Sequence, residues 1–243
     1  VAHSNFDGFM ADRGPRPDGK FSTGGHIALA NPADASSPQV ETVVDGFTSY
    51  KNRNGGMWSR GEMHTYKGLK LADNAIGYTH ASGNSGRSAF TSRVIDSLFV
   101  GETDNIGNPT TASEKAYGRS LPEPAIPDFP IRAYEFYDYH HELDNDTFVN
   151  YQDNATRKTG AISYLLFTSF GMSSNNTVQR AKFVNAKPVY FSGSMPQFFR
   201  TFGSTMPQPM ISSQPVPLQT LHPFPLQISQ VTSISAEGSV KGK

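Results

Sequence analysis

Apolar and polar positions alternate along this chain in short runs, and one phrase keeps returning: an apolar, β-rich run that closes on a polar turn residue. It reads Gly46-Phe47-Thr48-Ser49-Tyr50-Lys51-Asn52, then Gly68-Leu69-Lys70-Leu71-Ala72-Asp73-Asn74, then Ser97-Leu98-Phe99-Val100-Gly101-Glu102, Asp146-Thr147-Phe148-Val149-Asn150 and Ala181-Lys182-Phe183-Val184-Asn185. The echoes begin 22, 29, 49 and 35 residues apart. A helical repeat of fixed length cannot tolerate that variation, whereas the coil of a β-solenoid can carry inserted loops of any length. The pattern predicts an all-β chain folded as a parallel β-helix of about five to seven coils with long inserted loops.

Other runs fit coil walls. The stretch Arg132-Ala133-Tyr134-Glu135-Phe136-Tyr137-Asp138-Tyr139 alternates with period two, and Ala161 to Phe170 is a more continuously apolar strand candidate. No long amphipathic helix is visible. Residues 103–130 end in Leu121-Pro122-Glu123-Pro124-Ala125-Ile126-Pro127-Asp128-Phe129-Pro130, which cannot be an inner strand because proline donates no ladder hydrogen bond; a loop across the solenoid is expected there. Residues 192–233 hold seven prolines and no charged group after Arg200. The expected organisation is therefore coils over 1–191, an irregular proline-rich segment over 192–233, and a coil resuming over 234–243.

Composition narrows the functional classes. With 22 Gly, 17 Pro, 17 Phe and 10 Tyr the chain is built for short strands and tight turns. Its 21 basic and 21 acidic residues form no charged block, so the footprint of a nucleic-acid binder is missing. No apolar run approaches the roughly 20 residues that span a bilayer, and the first residues lack the layout of a secretion signal. The absence of an initiator Met and the repeat running near both ends read as a piece of something longer. Cysteine is absent, which removes disulfides, thiolate metal sites and thiol catalysis together.

Candidate chemistry follows from the coil geometry. Strands one rung apart lie about 4.8 Å from each other, so equivalent positions form files along the axis. Aligned on Phe47, Leu69 and Leu98, one file reads Lys51, Asp73, Glu102. Asp73 and Glu102 would then sit about one rung apart, near the ~5 Å of a retaining glycosidase pair. The competing reading makes Asn52, Asn74 and Asp73 corner caps that bond neighbouring backbone. The single tryptophan, Trp58, lies near Arg53 and Arg60, a cluster suited to stacking on a sugar ring and gripping a uronate carboxylate. It can equally be a core residue with a cation-π partner. Glycosylation sequons stand at Asn145, Asn154 and Asn175. The seven histidines, at 3, 26, 64, 80, 140, 141 and 222, reproduce no zinc signature, so no metal and no cofactor is expected; calcium at Glu102 and Asp104 or at Asp144 and Asp146 is the one admissible ion. No phosphate-cradling glycine loop or nucleophile elbow appears.

Three stretches carry a family resemblance: Tyr50-Lys51-Asn52-Arg53-Asn54-Gly55-Gly56-Met57-Trp58-Ser59-Arg60-Gly61, Leu71-Ala72-Asp73-Asn74-Ala75-Ile76-Gly77, and Ala125-Ile126-Pro127-Asp128-Phe129-Pro130-Ile131-Arg132. They resemble the parallel β-helix region of the G8-domain family, the group of cell-migration-inducing hyaluronan-binding protein, transmembrane protein 2 and the fibrocystin-like surface proteins. The likeness runs from about residue 1 to 191, and the G8 domain itself is not recognisable. It implies a right-handed β-helix, an extracellular or cell-surface setting and, for some members, binding or cleavage of hyaluronan. Because activity in that group is usually associated with regions upstream, the fold transfers more safely than the reaction. Two functions stay open: a module that recognises or helps process a hyaluronan-like acidic polysaccharide, as a glycosidase if an enzyme at all, and a structural rod or subunit of a surface coat or filament that contacts other chains or domains.

Overall fold

The computed structural model describes residues 1–12, 25–82, 92–120, 130–137, 140–155, 157–164 and 176–190, with short pieces at 226–227, 233–234 and 240–241. Almost all of the proline-rich segment, and the sequon at Asn175, lie outside the described residues.

The strands come in threes. The first rung holds β1 (Ala2–His3), β2 (Met10–Ala11) and β3 (Thr42–Asp45), and the second β4 (Thr48–Tyr50), β5 (Gly55–Gly61) and β6 (His64–Lys67). The third holds β7 (Lys70–Ala72), β8 (Ile76–Ser82) and β9 (Ser92–Ile95). The fourth inserts a short helix, α1 (Ala112–Tyr117), between β10 (Leu98–Val100) and β11 (Ile131–Phe136), and closes with β12 (His141–Asp144). β13 (Thr147–Tyr151), β14 (Thr159–Tyr164) and β15 (Asn176–Gln179) form the fifth, and β16 (Lys182–Ala186) opens the sixth.

Every third strand joins the same parallel sheet. Sheet 1 runs β1-β4-β7-β10-β13-β16, sheet 2 runs β2-β5-β8-β11-β14, and sheet 3 runs β3-β6-β9-β12-β15 and ends on Leu226–Gln227. One circuit of the chain visits each sheet once, which is the arrangement of a parallel β-helix. The five echoing phrases fall on β4, β7, β10, β13 and β16, consecutive strands of sheet 1.

The polar ends of those phrases have a conformational cause. After sheet 1 the chain turns through a left-handed residue: Ser4, Lys51, Asp73, Asn150 and Asn185 all have positive φ. Gly101 stands in the same file, where an added Cβ would meet the Asn150 carbonyl oxygen at 2.2 Å. The turn into sheet 1 forms a second left-handed file of Gly46, Gly68, Asp96, Asn145 and Arg180. Gly, Asn and Asp adopt this region at little cost. Lys51 and Arg180 do so because rungs around them fix the backbone.

Side chains also tie rung to rung. Asn52 Oδ1 accepts from Asn5 N at 3.1 Å, and Asn74 Oδ1 from Asn52 N at 3.0 Å. Ser97 Oγ accepts from Leu69 N, Asp146 Oδ1 from Ser97 N, Ser92 Oγ from His64 N, and Asn176 Oδ1 from His141 N. In each tie the acceptor sits on the later rung. Corner amides that leave the sheet ladder are thereby satisfied inside the solenoid, where an unpaired N–H would cost about 1–3 kcal/mol.

The interior differs from wall to wall. On sheet 1 Leu71, Phe99, Phe148 and Phe183 lie in register, with Phe99–Phe148 and Phe148–Phe183 ring centroids 5.1 and 5.3 Å apart and nearly parallel. Where sheets 2 and 3 meet, the filling is polar and aromatic: His64, His80 and His141 with Tyr66, Tyr78 and Tyr134, all buried. His80 stacks on His141 at 4.0 Å and its Nδ1 meets the Tyr134 hydroxyl at 2.8 Å.

The loop expected over 103–130 holds α1, whose start has a reciprocal capping box: Thr111 Oγ1 accepts from Glu114 N at 3.1 Å while the Glu114 carboxylate accepts from Thr111 N at 3.0 Å. The Thr-x-x-Glu spacing is a helix-start signal that the sequence carries in plain view.

Candidate functional site

On β5, Met57 and Ser59 point inward and are fully buried, so the alternation of a strand sends Trp58 and Arg60 to the outer face of sheet 2. The Arg60 guanidinium lies over the Trp58 ring at 5.0 Å and over the Tyr137 ring at 5.9 Å. Trp58 and Tyr137 meet edge to face, centroids 6.3 Å apart, and Asp12 Oδ1 is 3.7 Å from Arg60 Nε. The result is a half-buried shelf of two aromatic rings carrying one guanidinium. Beside it Trp58 pairs in register with Met10 of β2 and Thr79 of β8. Thr79 donates to Glu135 Oε1 at 3.0 Å, and Glu135 also binds Arg132, whose Nη1 reaches Pro130 O at 3.0 Å. This buried pair underlies the outer face of sheet 2 next to the shelf.

Arg53 does not join the shelf. It is exposed in the turn ahead of β5, outside the strand that carries Trp58 and Arg60. Sequence reasoning grouped Trp58 with Arg60 by nearness along the chain, which the alternation of β5 turns into a shared face, and it missed Tyr137, which only the stacking of rungs brings alongside.

Asp73 and Glu102 meet elsewhere, at the corner between sheets 1 and 2, and not in one file. Leu98 pairs with Lys70, which sets Asp73 opposite Gly101 and Asn74 opposite Glu102, one residue off the sequence alignment. Arg119, just past α1, links the two carboxylates: its Nη2 is 2.5 Å from Asp73 Oδ1 and its Nη1 3.8 Å from Glu102 Oε2. Asp73 also accepts from Thr103 N at 2.9 Å and Thr103 Oγ1 at 2.6 Å, and Glu102 is held by Arg157, with Nη2 to Oε2 at 2.7 Å. Carboxylates so occupied pin the α1 loop and the rung corner. Lys51 Nζ to Asn105 O at 2.6 Å adds to the same strap.

The remaining candidates are dispersed. Asn145 and Asn154 are exposed; Asn145 Nδ2 donates to Asp96 Oδ1 at 2.7 Å, and Asn154 Oδ1 accepts from Arg157 N at 2.9 Å. Of the carboxylates considered for calcium, Asp144 is paired with Arg180, and Asp146 lies buried. Burial drives the Asp146 carboxyl well above the usual carboxylate range. Among the described residues no cluster of three or more metal-ligating side chains occurs, and no helix is long and apolar enough to cross a membrane.

The fold and the shelf together define a class: a parallel β-helix whose outer face presents aromatic rings and a guanidinium. Comparison with known proteins sharpens it. The chain is 34% identical over 171 residues to a protein of Dictyostelium discoideum, covering 68% of this chain and 16% of that one. It is 31% identical over 201 residues to a human cell surface hyaluronidase (74% of this chain, 14% of the relative), and 31% identical over 178 residues to the mouse cell migration-inducing and hyaluronan-binding protein (68% and 13%). The chain belongs to the family of these hyaluronan-binding proteins and cell surface hyaluronidases, the one its motifs resemble. It spans 13–16% of the length of these relatives. No family model matches it.

Proposed function

We propose that these rungs form an extracellular module of a larger surface or secreted protein, and that the Trp58–Arg60–Tyr137 shelf binds a hyaluronan-like acidic polysaccharide. The observation that carries this reading is the Arg60 guanidinium held over two aromatic rings on an outer sheet face. Aromatic faces stack on sugar rings, and a guanidinium is the donor geometry that a uronate carboxylate matches. Relatives named for hyaluronan binding and for a cell surface hyaluronidase support the substrate class and the setting. The solenoid is taken as right-handed, the hand of nearly all parallel strand crossovers. Glycan on Asn145, Asn154 and Asn175 belongs to the same extracellular reading, and binding at the shelf calls for no cofactor.

The test is to incubate the purified chain with hyaluronan of defined length and to follow binding and chain length together. Binding that Trp58→Ala and Arg60→Ala each weaken at least about tenfold, or 1.4 kcal/mol, with folding unchanged, is the expected result. Absence of binding in the unsubstituted chain, with polysaccharide length retained, overturns this reading in favour of a structural rod or coat subunit.

A further inference from the structure

The first two rungs hold a second piece of chemistry that the shelf does not use. Residues 25–40 form an arm folded on itself, with Val40 N donating to Ala28 O at 3.0 Å and Ala30 N to Pro38 O at 2.9 Å. It docks on β5 through His26: His26 N donates to Arg60 O at 2.8 Å, Glu62 N donates to His26 O at 3.3 Å, and His26 bridges Gly61 in parallel. The side chain adds an anchor. His26 Nδ1 lies 2.9 Å from His64 Nε2, and the ring centroids are 5.1 Å apart. That separation is close to the N···N distance plus the two ring radii, so the nitrogens face head-on as donor and acceptor instead of converging on a shared cation.

Behind the pair, hydrogen bonds run into the core. His64 Nδ1 meets the Tyr66 hydroxyl at 3.0 Å, and Tyr66 connects to Ser59 and Tyr78. His26 is exposed and His64 buried, so one end of this chain meets solvent and the other does not. The groups around His64 are the His26 ring from the arm, Tyr66 on its own strand, Gly61 on β5, the His80 ring on β8, Ser92 on β9 and the His141 ring on β12. Glu62, two residues before it, is also buried.

We propose that the His26–His64 pair is a proton-operated latch on the 25–40 arm, closed while the pair carries no added proton or one, and open when it carries two. With no added proton, one facing nitrogen bears a hydrogen and the other a lone pair. One added proton still leaves one donor and one acceptor on the facing nitrogens, now joined by a stronger charge-assisted bond. A second proton puts a hydrogen on both facing nitrogens and two like charges at contact, and the bond becomes a repulsion. Burial, with the neighbouring His26 and His141 rings, holds the His64 pKa down to about 4, so the second proton arrives only in strong acid. The arm stays shut through the neutral and mildly acid range and then releases, uncovering the β5–β6 corner.

Hydrogen exchange of the whole chain, corrected for intrinsic rates and followed by mass spectrometry from pH 7 to pH 3.5, tests this. The expected result is arm protection that weakens from about pH 6.5 and is lost near pH 4, while β11 and β13 remain protected, reduced only by the general loss of stability in acid. His26→Gln supplies an amide that can donate to His64 Nε2 and, after flipping, accept from it once protonated. In that variant the arm should stay protected through the transition. Arm protection lost together with β11 and β13, retained throughout in the unsubstituted chain, or lost at the same pH in His26→Gln would each overturn the latch.

Discussion

Two files of side chains run along the same solenoid and solve the same packing problem with opposite chemistry. On sheet 1, Phe99, Phe148 and Phe183 stack face to face, buried and without a titratable atom among them. Across the core, His64, His80 and His141 fill equivalent space with tyrosine hydroxyls between them. The rung dictates only that a ring of suitable size repeat at each level. Whether that ring is dry or hydrogen-bonded is free to vary, and with it the response of each wall to pH.

The largest expected effect breaks the dry file. Phe148 is fully buried between Phe99 and Phe183, so Phe148→Ala removes stacking on both sides and leaves a cavity that two neighbouring rungs cannot close. A loss of about 3–5 kcal/mol is expected in urea unfolding. Because nothing in that file titrates, the loss should be the same at pH 7 and pH 5. A difference between the two would mean that the walls are not independent.

Next comes acid, which should break the polar file. His64 is depressed to about 4 and His80 lies well below the usual histidine value, in both cases first through burial, with neighbouring imidazoles adding to it. The unfolded chain therefore binds protons that the folded chain refuses. The stability these groups give is complete above about pH 6.5 and is lost as pH falls toward 4. For His64 alone the loss is about 3 kcal/mol, read as a falling urea midpoint across that window. A flat midpoint from pH 7 to 4 would show that these rings are solvated in the folded chain.

The same contrast explains what could be read from the sequence. Phenylalanine at Phe99, Phe148 and Phe183 repeats within a local phrase, so sheet 1 was visible as five echoes. Aligning the phrases from their first residues puts the register between the second and third echoes one residue out. The left-handed partner of Gly68 is Asp96, so Ser97 belongs opposite Leu69, and the file proposed for Asp73 and Glu102 dissolves. The polar file was not visible. Its members come from β6, β8, β11 and β12, with different local patterns, and become neighbours only once the rungs stack. Of the candidate site, Trp58 and Arg60 were legible from their nearness in sequence, whereas Tyr137 depends on a contact between β5 and the end of β11. Arg119 and Arg157, which occupy the proposed acid pair, lie in loops whose path no periodicity reports.

The smallest expected effect sharpens the comparison by giving the two walls opposite pH signs. Asp146 sits at the turn into β13, next to the dry file, fully buried, and its Oδ1 accepts from Ser97 N at 2.8 Å. Among the described residues its Oδ2 has no partner. Burial raises its pKa well above the ordinary value, with Asp144 and Asp96 pushing the same way, so the folded chain keeps a proton that the unfolded chain gives up near pH 4. The contribution of this proton to stability is complete below the unfolded pKa and is lost as pH rises, the reverse of the histidines. Asn52, Asn74 and Asn176 do the same corner task elsewhere with an amide oxygen and nothing to titrate. Asp146→Asn should therefore keep the Ser97 tie, leave the Asn145-x-Thr147 sequon intact and raise stability at pH 7 by on the order of 1 kcal/mol. The gain should shrink to nothing by about pH 3, where aspartate is protonated in both states. A loss at pH 7, or a gain that persists in acid, would show that Asp146 is ionised and paired in the folded chain, and that the dry wall is less dry than its phenylalanines imply.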